Sequence, residues 1–133
     1  MMRKTAFPPV AGVAAGVLIL GSMPGEESLR RHEYYGHPRN AFWPIMGELL
    51  GFDPALPYSE RLQRLVGSKV ALWDVLAACR RDGSLDADIR GPEPNDITAF
   101  VREHSRLNAV YCNGQTAGRL LKKFFPALPA QLP

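Results

Sequence analysis

Residues 17 to 28 read VLILGSMPGEES: four apolar side chains in a row, then glycine, a short polar turn, proline and a second glycine. A short apolar run closed by glycine and proline has the pattern of a central strand in a parallel sheet, buried on both faces. Upstream, Arg3 and Lys4 precede the apolar run VAGVAAGVLIL, which loosely imitates a secretory signal. Pro8 and Pro9 interrupt the approach, no small-residue cleavage site follows, and the run is too short to span a bilayer as a helix. The expectation is a soluble cytoplasmic protein, with Val17 to Leu20 as a strand ending at Gly21.

Downstream, strand and helix signals alternate. FWPIMGELLG sets Phe42, Ile45, Met46, Leu49 and Leu50 at helical spacing, with Gly51 as the stop. Ser59 is the expected cap of a second helix carrying Leu62, Leu65 and Val66 and closing at Gly67. KVALWDVL gives a strand from Val70 to about Trp73, followed by a polar segment holding Gly83, Gly91, Pro92 and Pro94. Asn95 or Asp96 then caps a helix that buries Ile97, Phe100 and Val101. NAVYCNG is the third strand. The last helix turns Ala117, Leu120, Leu121 and Phe124 inward and Arg119, Lys122 and Lys123 outward. Alternation of this kind predicts an α/β protein with a mainly parallel sheet and helices on both faces.

At 133 residues and 46% apolar content, the chain suits one domain, residues 1 to 133, around one core. A formal net charge of +3 permits a polyanionic partner without demanding one. Cys79 and Cys112 stand far apart and form no C-x-x-C pair, so buried, reduced thiols are expected rather than a disulfide framework or zinc site.

In a parallel sheet, ligands sit beyond the carboxyl ends of the strands, so the loops after Leu20, Trp73 and Cys112 should converge on one crevice. The turn GSMPGEES can aim backbone N–H groups at an anion or oxygen. It is not a nucleotide-hydrolase phosphate loop, because G-x-x-x-x-G-K-[ST] is absent. Ser22 is a conceivable nucleophile, predicting reaction with serine reagents, but it lacks the G-x-S-x-G elbow and a marked His and Asp. GHPRNAFWPIM, residues 36 to 46, gathers His37, Arg39, Asn40, Phe42 and Trp43 on a proline-stiffened turn ahead of a helix. Trp73 and Asp74 read as structural, the aspartate tying down the loop after its strand.

The run LILGSMPGEESLRRHEYYGHPRNAFWPIMGEL resembles the leading motif region of the uracil-DNA glycosylase superfamily, specifically its family six, the hypoxanthine-DNA glycosylases. The similarity continues through ALWDVLAACRRDGSLDADI, the Asn95-Asp96 pair and VYCNGQTAGRL, and Y-Y-G-H-P-R-N-x-F-W is its most specific part. It implies a three-layer α/β/α fold, no cofactor or metal ion, and duplex DNA bearing deaminated adenine as partner. The implied reaction is base excision repair: hydrolysis of the bond from base to deoxyribose in deoxyinosine, releasing hypoxanthine. A base must be flipped from the duplex, stacked on an aromatic face and read along its edge. Phe42 or Trp43, with Tyr34 or Tyr35, supplies that face.

By analogy with the family, Asn40 is the catalytic residue, an amide that positions water. Sister branches carry a polar residue for this inside the glycine-proline turn, where this chain has Met23. Asn113 resembles the superfamily's base-reading asparagine, with backbone of Gly21, Ser22, Met23, Pro24 and Gly25 lining the pocket. Arg39 is the expected phosphate contact, with His37 beside it. Read from residue types alone, Asn40 equally suits a helix cap, Phe42 and Trp43 suit a core, and Asn113-Gly114 suits a turn. The family continues beyond the last helix into a further strand and a segment resembling LPSTSPA, whereas no Ser-Pro pair follows Phe125 here. The expectation is a C-terminally truncated glycosylase without its last strand, with Ala109 to Cys112 as an open sheet edge. The alternative is an inactive or weakly active remnant that binds nucleic acid or a protein partner.

Overall fold

The computed structural model describes residues 3–128. Its elements run β1 (Arg3–Thr5), β2 (Val17–Gly21), α1 (Glu26–Arg31), α2 (Phe42–Leu50), α3 (Tyr58–Gly67), β3 (Val70–Asp74), β4 (Leu76–Arg80), β5 (Arg90–Pro94), α4 (Ile97–Glu103), β6 (Ala109–Cys112) and α5 (Gln115–Phe124). The expected parallel sheet is present in the order β3-β2-β6. Val17 to Gly21 pair in register with Val70 to Asp74, and Val17 to Leu20 with Ala109 to Cys112.

Strand periodicity explains the layering. Successive side chains of β2 point to opposite faces. Leu18 and Leu20, both fully buried, pack with Ile97 and Phe100 of α4 and with Ala117 and Leu121 of α5. Ile19 packs on the other face, where Phe42, Trp43 and Met46 of α2 and Leu65 of α3 form a second cluster. Each fully buried leucine contributes about 1.5–3 kcal/mol, so one strand ties both helical layers to the sheet.

The free edge of β3 is met by Val10, whose N–H donates to the Leu72 carbonyl while Leu72 returns the bond, both at 2.9 Å. At the opposite side β6 is the outer strand among the described residues. Cys79 and Cys112 are free and buried. No helix among the described residues is long and apolar enough to cross a membrane.

Several local expectations need correction. A second, antiparallel sheet in the order β1-β4-β5 occupies stretches read as a charged N-terminus and a polar loop. Pro92 and Pro94 do not forbid β5, because it is an edge strand where a missing N–H is tolerated. Ser59 lies inside α3, whose N-cap is Pro57 with no side-chain cap. Ile45 and Leu49 are exposed, at 52% and 71%, so the buried face of α2 is the narrower stripe of Phe42, Trp43 and Met46. Asp96, not Asn95, caps α4, its side chain accepting the Ala99 N–H.

Candidate active site

The carboxyl ends of the three parallel strands do converge. Gly21, Asp74 and Asn113, from the ends of β2 and β3 and just after β6, line one cavity of about 400 Å³ together with Tyr35 and Asn40. A second cavity of about 320 Å³ lies beyond, lined by Ile19, Phe42, Ile45, Met46 and Tyr111. Asn40 and Asn113 line both, so the two amides stand between a polar chamber and an apolar one.

Asn113 is placed by backbone: its N–H donates to the Leu20 carbonyl at 2.7 Å, extending the ladder by one residue. Gly114 then turns the chain into α5 with φ 103°, a left-handed value that a side chain would strain. Asn40 is exposed and fixed from both sides. Its N–H donates to the His37 carbonyl at 2.9 Å, and its Oδ1 accepts the Phe42 N–H at 2.8 Å. The N-cap of α2 is Ala41, not Asn40, and the first backbone donor of the helix instead reaches back to orient the Asn40 amide at the cavity. Pro44 falls at the third helical position, where its missing N–H still costs nothing.

The turn after β2 has its groups committed. Ser22 Oγ donates to Asp86 Oδ1 at 2.9 Å, and the Glu26 N–H donates to Ser84 Oγ at 2.7 Å. Arg81, 1% exposed, donates to the carbonyls of Pro24 and Gly83 and reaches Asp86 Oδ1 at 3.5 Å. Met23 is buried against Leu76 and Cys79, so it closes the floor and holds no water. Gly21, Ser22, Met23, Pro24 and Gly25 all line the polar chamber.

The aromatic residues separate into two roles. Tyr35 stacks on Phe42 with centroids 3.9 Å apart and planes at 21°. Tyr35 lines the polar chamber and Phe42 the apolar one. Trp43 lines neither. Its Nε1–H donates to the Tyr34 carbonyl at 2.9 Å, and its ring packs against Phe52, Tyr58 and the Arg61 guanidinium. Trp43 is thus a core residue, which corrects its reading as a base contact. The Tyr34 hydroxyl donates to the Pro8 carbonyl at 2.7 Å and anchors the N-terminal segment.

His37 lines the polar chamber, its Nδ1 accepting the Arg39 N–H at 3.0 Å. Arg39 is exposed and forms no ion pair among the described residues. Four carboxyl groups also border the chamber: Glu26, Glu27, Asp74 and Asp86. Such a lining disfavours a phosphate inside and suits an uncharged heterocycle.

Asp74 was read as a loop anchor, and that reading needs correction. The anchor is its backbone carbonyl, which accepts from Asn95 Nδ2 at 2.8 Å; the carboxyl lies buried beside the chamber. Burial pushes Asp74 up to about 7, with Arg81 opposing and Asp86 adding to the shift. Burial also raises the Tyr35 hydroxyl above its usual value, with Asp74 adding and Asn113 opposing. A charged residue ending an apolar strand at the crevice was the available signal for Asp74. Arg81 had none, because its position depends on the antiparallel sheet.

A family model described as the uracil DNA glycosylase superfamily matches residues 8–131. The chain is 41% identical to a protein named hypoxanthine DNA glycosylase from Methanosarcina barkeri (strain Fusaro / DSM 804) over 118 residues, covering 88% of this chain and 75% of that one. It is 37% identical, with the same coverage, to a protein of the same name from Methanosarcina acetivorans. A solution NMR structure of a Methanosarcina acetivorans protein proposed to be a uracil DNA glycosylase superposes with a TM-score of 0.86. That match is at 33% identity and covers 98% of this chain and 81% of the other.

Proposed function

The chain belongs to the uracil DNA glycosylase superfamily, and from that premise we propose that it excises hypoxanthine from deoxyinosine in duplex DNA. The observation that carries the reading is the pair of amides, Asn40 and Asn113, standing together between the two chambers. The flipped base enters beside Asn113, whose amide can donate and accept along the base edge. Phe42 supplies an apolar face beside it, backed by the stacked ring of Tyr35.

Cleavage breaks the bond from C1′ of the sugar to N9 of the purine. The bonding pair leaves with the base, and the sugar carries oxocarbenium character. Water then adds at C1′, and the proton it loses passes through solvent to the departing base anion, so that neutral hypoxanthine is released. At such an electron-poor carbon, water needs placement more than a strong base. With Oδ1 held by the Phe42 N–H, the remaining Oδ1 lone pair of Asn40 accepts a hydrogen bond from that water. Arg39 and His37 contact the flanking phosphates, which hold register without reading sequence.

The test is single-turnover release of hypoxanthine from a duplex containing one deoxyinosine, by the native chain and by Asn40→Ala. Loss of water placement is expected to slow release about 10²- to 10³-fold. Equal rates would remove Asn40 from the chemistry. Salt-dependent duplex binding without release, from a folded chain, would favour the binding remnant instead.

A further inference from the structure

The reaction above leaves Asp74 without a role, although it is 4% exposed and borders the chamber. Asp74 pairs in register with Gly21 across the sheet. A Cβ built on Gly21 would lie 2.5 Å from Asp74 Oδ1 and 3.1 Å from the Tyr35 hydroxyl, so both groups converge on one bare Cα. Asp74 Oδ2 is buried with no hydrogen-bond partner among the described residues, and the Tyr35 hydroxyl is buried without a well-formed hydrogen bond, the Asn113 side chain being the polar group that acts on it. Two adjacent polar groups in want of partners border a cavity that shares Asn113. Buried groups left this way cost free energy, which a bound ligand can recover.

The charge state of Asp74 follows from its neighbours. It forms no ion pair among the described residues, and Arg81, the cation that acts on it, is committed to two carbonyls and to Asp86. Asp86 beyond β4, Glu26 and Glu27 on α1, and Tyr34, Tyr35 and His37 in the loop before α2 are the other titratable groups around the chamber. Glu26 is paired with Lys4, Glu27 with Arg30 and Arg31, and Asp86 with Arg81. That leaves Asp74 as the unpaired carboxyl of the chamber among the described residues, and an unpaired carboxylate is costly to bury. The neutral acid carries an O–H donor.

We propose that Asp74 contacts the excised base: its carboxyl O–H and the Tyr35 O–H form a donor pair that reads the N7 and O6 edge of a 6-oxopurine. Resting on the glycosylase reading, this gives a reason for selectivity. Hypoxanthine, like guanine, presents two acceptors on that edge, whereas adenine presents an acceptor and an amino donor. A donor pair therefore matches the deaminated base and opposes its parent. Once ionised, Asp74 becomes acceptor-only and faces N7 or O6 lone pair to lone pair.

The experiment is single-turnover hypoxanthine release at saturating enzyme between about pH 5.5 and 8.5, with native chain, Asp74→Asn and Tyr35→Phe. Native release should fall roughly tenfold per pH unit above the Asp74 midpoint near 7. Asparagine offers an N–H donor that does not titrate, so the fall should vanish in Asp74→Asn. Tyr35→Phe should lose about tenfold at every pH and keep the native profile.

An Asp74→Asn profile parallel to the native one overturns the proposal while hypoxanthine release itself stands. No release from folded native chain at any pH overturns both. Stability supplies a readout independent of activity. The folded-state value near 7 lies above the ordinary 3.8, so the favourable contribution of Asp74 to folding is complete below 3.8 and is lost as pH rises through 7. The melting temperature of Asp74→Asn relative to native should therefore increase from about pH 4 to pH 8. A constant difference would overturn the neutral acid. Should Asp74→Asn not fold, a native release rate that rises above pH 7 would do the same.

Discussion

The turn Ser22–Gly25 and the loop His37–Asn40 border the same chamber, yet they are built in opposite ways. The turn is immobilised by side chains from elsewhere, above all the buried guanidinium of Arg81 on the Pro24 carbonyl. The loop is exposed from His37 to Asn40 and relies on its own short hydrogen bonds. The difference separates shape from chemistry. A wall must not yield when a base is pressed against it, whereas groups that meet water and phosphate must stay accessible.

Removing Arg81 should break that separation most severely. Arg81→Met keeps the bulk of the side chain and leaves the buried Pro24 carbonyl without its donor, while Lys4 Nζ still donates to the Gly83 carbonyl at 3.0 Å. A buried acceptor stranded this way costs about 2 kcal/mol, measurable by urea denaturation. Asn40→Ala should show the reverse signature, losing release while costing only about 1 kcal/mol for the forfeited hydrogen bond from the Phe42 N–H. If Arg81→Met unfolds no more easily than Asn40→Ala, the turn is held by something other than Arg81.

Legibility in the sequence follows the same division. The parallel sheet could be read because Leu18, Leu20 and their neighbours repeat an apolar pattern that only a doubly covered strand explains. Convergence of Gly21, Asp74 and Asn113 then followed from topology. The antiparallel sheet was not legible: Arg3–Thr5 and Arg90–Pro94 have no periodic apolar face, and their pairing with β4 is set by position in space. Whatever reaches the site through that sheet, including Arg81 and Asp86, was lost with it. The resemblance singled out Asn40 and Asn113, but not the donor pair of Asp74 and Tyr35, because partnerless atoms exist only once the chain has folded.

On the exposed loop, Arg39→Ala should leave the melting temperature unchanged, since Arg39 contacts no buried group. Its effect belongs to binding. One fewer phosphate contact lowers the slope of log affinity against log salt by about 1 and weakens duplex binding severalfold. An unchanged slope would move the phosphate contact elsewhere, with His37 as the next residue to test.

The smallest effect is expected at Ser22, and its smallness discriminates between two chemistries. As a nucleophile Ser22 would be indispensable, but its hydroxyl donates to Asp86, a carboxylate on the exposed 86–88 turn, and not to a histidine. A nucleophilic serine needs a base that takes its proton during attack and is itself oriented by a third group. Here the nearby histidine, His37, has its Nδ1 occupied by the Arg39 N–H and makes no hydrogen bond to Ser22. Ser22→Ala therefore removes one partly exposed hydrogen bond, worth about 0.5–1 kcal/mol. Hypoxanthine release should change by less than about threefold, and serine-directed reagents should leave the native chain unmodified. A loss comparable with that of Asn40→Ala would transfer the chemistry from the loop to the turn, and the division between them would fail.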